Sequence, residues 1–267
     1  MGYHEILPSP RLAPYVQLVW CLELDDPTEF GPPERIAPDG ILELVVHYRQ
    51  PFVLRYGDGA FRAQPRSSVV SQTRRSIEIE PTGRTGLISV RFRPWGAHRF
   101  LRCPVRELAD RQVAAEDVWG TAVHDLEERL QGTAGVRNRV AEVEAFLLER
   151  LRLDGTPDVE PLVRTVWRHR GRVGMAQLAR EVGSSERTLQ RRFTAALGMT
   201  PKGYARLTRF LHACAVLRRG ADGGLAHVGQ ECGYYDQAHF IADFRAFAGM
   251  TPGQFAAAAG MSFLELE

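Results

Sequence analysis

The strongest constraint on this chain is that part of it is written twice. Leu178-Ala-Arg-Glu-Val-Gly183 returns about fifty residues later as Val228-Gly-Gln-Glu-Cys-Gly233. Phe240 and Phe244 take the places of Leu189 and Phe193, and Gly198-Met199-Thr200-Pro201 is restated without change as Gly249-Met250-Thr251-Pro252. Glycine turns, aromatic anchors and an identical ending recur in one order, which points to duplication of a single structural unit.

That unit reads as helix, tight turn, helix. Leu178, Ala179 and Val182 mark the inner face of a short first helix, and Gly183 stands where a left-handed residue ends one. Ser184 or Ser185 can cap the helix that follows. In it, Leu189, Phe193 and Leu197 recur at fourfold spacing and face a core, so Arg187, Gln190 and Arg191 point outward, with Thr188 and Thr194 beside them. Arginine can form two hydrogen bonds to guanine and glutamine two to adenine in a major groove wide enough to admit a helix. The plain alternative is a solvated helix face. Charge weighs against it: between Arg164 and Arg219 stand 13 Arg or Lys and, on the acidic side, Glu181 and Glu186 alone. Such a local excess suits a polyanion, whose neutralisation releases counterions. Residues 1–161 lean the other way, with 20 basic and 24 acidic side chains.

The second unit is not an equal copy. Its outward positions are Ala238, Ile241, Ala242 and Arg245, so small apolar groups replace long polar ones. Alanine and isoleucine can touch a thymine methyl but read no hydrogen-bond pattern. The expectation is that Arg187, Gln190 and Arg191 supply most base readout, with Ala238, Ile241 and Ala242 contributing apolar base contacts. Ser185, Thr188, Thr194, Asp236, Gln237, His239 and Arg245 are the candidates for contacts near the DNA backbone. Asp236 reads as a helix cap before it reads as a contact.

The first hundred residues read mostly as β. Tyr15 to Leu24 alternates as a half-buried strand, and Ile41 to Tyr48 follows a Pro38-Asp39-Gly40 turn. Shorter strands are expected at 52–56, 67–72, 77–80 and 86–92, a pattern that suggests a barrel or sandwich. Beyond Phe92 the period becomes helical: a short helix after Pro94, then Val118 to Leu130 and Val136 to Leu151. The narrow stripe Val136, Val140, Val143, Leu147 and Leu151 fits either packing on the chain's own barrel or a dimer seam. Leu153 to Pro161, rich in Pro, Gly and Asp, marks a boundary, and helices are expected at about 159–170 and at 203–217. The expected organisation is multidomain. An amino-terminal α+β domain spans 1–155, with a cupin-like barrel sheet over 1–95 and helices over 96–152. An all-α domain with two helix-turn-helix units spans 160–262.

In the first domain Trp20, Glu43, His47, Arg91 and Trp95 are candidates to line a pocket for a small-molecule effector, each against a plainer reading as core or surface. An enzyme is not expected. His47 and His98 stand apart from any H-x-H or H-E-x-x-H pattern, and neither a G-x-S-x-G elbow nor a GK[ST] loop occurs, so no catalytic residue, metal or cofactor is assigned. Cys21, Cys103, Cys214 and Cys232 are scattered without a C-x-x-C pair and are expected as reduced thiols. The uncharged stretch 246–264 is broken by Pro252, Gln254 and glycines, which argues against a membrane span. An amino terminus without a positive end followed by an apolar run argues for the cytoplasm.

The duplicated region, over roughly residues 162 to 260, resembles the AraC/XylS family of bacterial transcription regulators, above all through GYYDQAHFIADFRAFAGMTP at Gly233 to Pro252. The resemblance implies seven helices, with one linker helix holding two recognition helices in successive major grooves of bent double-stranded promoter or operator DNA. It also implies an amino-terminal domain that binds an effector, dimerises or both, and a partnership with RNA polymerase. Through PYVQLVWCLEL, RIAPDGILELVVHY and VRFRPWGAHRF, the first half more weakly resembles a poorly characterised barrel-like domain found ahead of such units. Two other functions stay open at this point: a DNA-associated enzyme with a metal-binding or other barrel, and a nucleoid-type binder without preferred sites.

Overall fold

The structure is a computed structural model and describes residues 2–57, 59–71, 76–153, 155, 158–220, 224–257 and 261–262. Its strands, in chain order, are β1 (Gly2–Ile6), β2 (Val16–Leu24), β3 (Glu34–Ile36), β4 (Glu43–His47), β5 (Phe52–Tyr56), β6 (Arg62–Ala63), β7 (Ser67–Val70), β8 (Ile77–Pro81), β9 (Thr85–Phe92), β10 (Gln112–Ala114) and β11 (Met261–Ser262). The helices are α1 (Ala115–Trp119), α2 (Ala122–Gly132), α3 (Val136–Leu148), α4 (Glu160–Arg168), α5 (Met175–Glu181), α6 (Glu186–Leu197), α7 (Pro201–Arg218), α8 (Gly224–Glu231), α9 (Gln237–Ala248) and α10 (Pro252–Ala257). Short 3₁₀ turns sit at Pro27–Phe30, Ala97–Arg99 and Val105–Glu107.

Two sheets build the first domain. One runs β1-β2-β9-β4-β7-β10 and is antiparallel throughout. The other runs β11-β3-β8-β5-β6, in which only the short pair β11 and β3 is parallel. The larger sheet is covered on both faces, and this corrects the half-buried reading of β2. A bulge between Val16 and Leu18 shifts its register against β9. Beyond the bulge, Leu18, Trp20 and Leu22 face the second sheet, while Val19 and Cys21 face the helices with zero exposure. Strands β4 and β9 divide in the same way, Leu44, Val46, Ile88 and Val90 going to the helical side.

Helices α1 to α3 lie on that side. The helix expected over Val118 to Leu130 is split at Gly120, whose φ of +67° is costly for a residue with a Cβ and closes α1. On α3, Val140, Val143, Phe146 and Leu147 are buried in the same core as β2 and β9, with Val136 and Leu151 packed at its margin. The stripe that could have formed a dimer seam is therefore spent inside this chain. The short helix expected after Pro94 is the Ala97–Arg99 3₁₀ turn.

Helices α4 to α10 form the second domain, seven among the described residues. Two cores hold it: Leu178, Leu189, Phe193 and Leu197 with α4, and Phe240, Phe244 and Phe247 with α7. Of the boundary stretch, Asp154, Thr156 and Pro157 lie outside the described residues, as does Gln72 at the end of the expected strand 67–72. The four cysteines are free; burial pushes the Cys21 thiol up to about 11 and that of Cys232 to about 12. No helix among the described residues is long and apolar enough to cross a membrane.

Candidate nucleic-acid interface and interior cavity

Each helix-turn-helix unit is built by the same local chemistry. Helices α5 and α8 are followed by Gly183 and Gly233 at φ of +62° and +79°, the left-handed turn that reverses the chain within a few residues. Ser185 then caps α6 by accepting from the Thr188 amide at 3.3 Å, and Asp236 caps α9 by accepting from the His239 amide at 2.7 Å. Both helices close on a left-handed glycine, Gly198 and Gly249, each at φ of +70°. Thr200 and Thr251 start the next helices, Thr200 by accepting from the Gly203 amide and Thr251 by accepting from that of Gln254.

With the inward faces fixed by Leu189, Phe193, Phe240 and Phe244, all 1% exposed or less, the outward faces follow. Arg187, Gln190 and Arg191 are exposed on α6, as is Arg192, which the sequence reading passed over. Ser185 is exposed and Thr188 and Thr194 are half-buried. On α9, Ala238 and Ala242 are exposed, Ile241 is half-buried, and Gln237, His239 and Arg245 are exposed. Asp236 spends one carboxylate oxygen on its cap.

The two units are fastened differently. Asp243 of α9 is buried and receives a bidentate pair from Arg206 of α7, with Nε 3.1 Å from each carboxylate oxygen and Nη2 2.7 Å from Oδ1. The equivalent position on α6 is the exposed Arg192. Both units touch the amino-terminal domain: at the end of α9 the Ser76 amide and hydroxyl donate to the Phe247 and Ala248 carbonyls at 3.2 and 3.3 Å. The end of α6 meets the Val105–Glu107 turn, where a Cβ on Gly198 would stand 3.2 Å from Val105. Beside it the Trp95 and Trp167 rings lie 5.5 Å apart, and the Arg164 guanidinium stands 4.8 Å from the centre of Trp95.

Between the two sheets lies a cavity of about 440 Å³. Of the five candidates for an effector pocket, Trp20, Glu43 and Arg91 line it. His47 and Trp95 do not. His47 has zero exposure, its Nδ1 lying 3.2 Å from the Arg66 carbonyl and its Nε2 3.5 Å from the Phe52 amide. Those partners suit a neutral ring, and burial pushes its pKa down to about 4. Trp95 donates through Nε1 to the Pro14 carbonyl at 3.0 Å and belongs to the core of the second domain. The position of either residue depends on contacts made far along the chain, and one strand's alternation carries no sign of them.

The loop after β3 joins this cavity to the helical domain. Ile36, Ala37 and Asp39 line the cavity, and Asp39 accepts from the Ile41 amide at 2.9 Å while ion-pairing with Arg91. On its other side Ala37 is packed in the core of α7, and a Cβ on Gly40 would come within 2.8 Å of Leu207 and 3.2 Å of Tyr204. No cluster of three or more His, Cys, Asp or Glu able to hold a metal occurs among the described residues.

Comparison with known proteins agrees with this division. Residues 178–258 match the family described as a helix-turn-helix domain, and residues 4–114 match a domain of unknown function (DUF6597). The HTH-type transcriptional activator RhaR of Klebsiella pneumoniae is 31% identical over 80 residues, 30% of this chain. The chain covers 28% of the length of that relative. Among solved structures, ToxT of Vibrio cholerae is 7% identical, with a TM-score of 0.46 over 96% of this chain and 98% of that one. A Chromobacterium violaceum transcriptional regulator with an AraC-type DNA-binding domain is 24% identical, with a TM-score of 0.34 over 37% of this chain and 91% of that one. Residues 178–258 thus match a helix-turn-helix domain, preceded in the same chain by a stretch that matches a domain family with no assigned function.

Proposed function

We propose that this chain is a sequence-specific DNA-binding transcription regulator whose first domain answers to a small-molecule effector. The observation that carries the reading is the exposed row Arg187, Gln190 and Arg191 on a helix whose opposite face is locked into a duplicated helix-turn-helix scaffold. These three side chains read base edges in a major groove; Ser185, Thr188 and Thr194 lie where the adjoining backbone passes. Helix α9 places Ala238, Ile241 and Ala242 against the second groove with little power to discriminate, while Gln237, His239 and Arg245 hold the phosphates.

The cavity supplies the control. Ile36, Ala37 and Asp39 line it, Ala37 and Gly40 of the same loop pack against α7, and α7 joins the two units. A ligand that engages Asp39 shifts the balance between arrangements of α7 in proportion to its preference for one of them.

Binding-site selection with the purified full chain tests the reading. The expected result is a defined motif recovered at physiological salt. Protection of DNA without any preferred site would favour the nucleoid-type alternative and sink the proposal.

A further inference from the structure

The lining of the cavity defines its ligand in chemical terms. Its walls are apolar, with Leu18, Phe30, Ile36, Phe52 and Ile79 among them, and its volume falls within the range of about 300–1,000 Å³ typical of small-molecule sites. Within that lining a charged cluster centres on Arg91, whose side chain is 11% exposed and is held by both Asp39 and Glu43, themselves 18% and 16% exposed. Glu43 also accepts from the Ser89 hydroxyl at 2.6 Å. One guanidinium between two carboxylates leaves this enclosed cluster with one surplus negative charge. Arg91 is the one basic side chain in the lining among the described residues, and Glu5 and Glu34 add further carboxylates.

A carboxylate ligand would be the third anion on a guanidinium whose charge is already spent. A cation would offset a charge that is costly to bury unmatched. The side of the cavity formed by β1 and β2 is aromatic: the Tyr3 and Trp20 rings lie 5.9 Å apart at 40° to one another, and ring faces of this kind attract a desolvated ammonium. Arg91 Nε is buried without an acceptor, so an ether or hydroxyl oxygen near the charged end of the ligand would satisfy it.

We infer that the cavity between the two sheets binds an apolar organic cation, an amine or quaternary ammonium with a hydrophobic body, and does not bind an apolar acid. This rests on the proposal that the cavity is the chain's regulatory site, but the two can fail separately.

The test is calorimetry on the full chain with probes that differ in charge alone: 4-phenylbutylamine, 4-phenylbutanol and 4-phenylbutyrate, and the corresponding decyl series. The amine is expected to bind at least about tenfold more tightly than the alcohol, with the acid weakest. Glu43→Gln removes the surplus charge and keeps the pair of Arg91 with Asp39. It should cost the amine about tenfold and leave the alcohol unchanged. The exposed Glu5→Gln provides the same sign at a position outside the core, with a smaller loss. An acid that binds as well as the amine, or no binding by any probe at millimolar concentration, overturns the inference. DNA affinity is measured alongside. An acid that binds best and alters DNA affinity refutes the charge assignment and keeps the regulatory reading. An amine that binds best with DNA affinity unchanged does the reverse.

Discussion

Helices α6 and α9 are both 12 residues long, both begin at a side-chain cap and both stop at a left-handed glycine, yet they present different chemistry to solvent. Helix α6 exposes Arg187, Gln190, Arg191 and Arg192; α9 exposes Ala238, Ala242 and Arg245 and turns an acid, Asp243, inward onto Arg206. Inward positions are tied to neighbours by packing, so they stay alike after a duplication. Outward positions are free of that coupling and diverge. The position before Phe193 and Phe244 departs from this rule, since it is the exposed Arg192 in one unit and the buried Asp243, fastened to α7, in the other. With α9 fastened to α7 and carrying Ala238, Ile241 and Ala242 at the centre of its outward face, the proposed division is that α9 holds a groove and α6 reads one.

The first way to break the comparison is at the shared scaffold. Phe193→Ala and Phe244→Ala each empty a fully buried site and should destabilise the second domain by about 3–5 kcal/mol in denaturant unfolding. A loss under half that size at one site alone would mean the units are not equivalent beneath their surfaces. Next comes the fastening. Arg206→Ala leaves Asp243, with 7% of its side chain exposed, to face burial with only His239 Nε2 3.9 Å away, and should cost about 1–2 kcal/mol. Arg192→Ala, at the matching position of α6, should change stability by less than about 0.5 kcal/mol. Equal costs would remove the distinction between a position fastened to α7 and an exposed one.

Readout sharpens it further. Arg187→Ala and Arg191→Ala should each weaken binding to the preferred site by about 1–3 kcal/mol and relax the base preference, as seen in competition assays against variant sites. The smallest effect belongs to Arg245→Ala, which should weaken binding uniformly across sequences and lower the salt slope by about 1.

The second domain was legible in the sequence because its signals are local. Caps, left-handed glycines and anchors at fourfold spacing each act within one or two turns, and Ser185, Asp236, Gly183 and Gly233 all sit where those signals place them. The first domain was legible only in outline. Alternation along Tyr15 to Leu24 gives two faces but not which sheet or helix covers each, and small apolar residues such as Val19 and Cys21 read as an exposed or neutral side until α3 is packed on them. For the same reason nothing in the sequence separates Trp20, Glu43 and Arg91, which share the wall of one cavity, from His47 and Trp95, which lie outside it. His47 is fixed by the Arg66 carbonyl 19 residues on, and Trp95 by a helix of the other domain. Strands β1 and β10 escaped notice because each is defined by its partner in the sheet and carries little pattern of its own.

The proposed division of labour between the two helices has a direct energetic signature. The most direct measurement is the affinity of the full chain for a selected site and for every single base-pair substitution of it, repeated with Arg191→Ala. The expected result is one half of the site where substitutions cost about 1–3 kcal/mol each and one half that is nearly flat, with the variant flattening only the steep half. Two equally steep halves, or a variant that weakens every sequence alike, would contradict it.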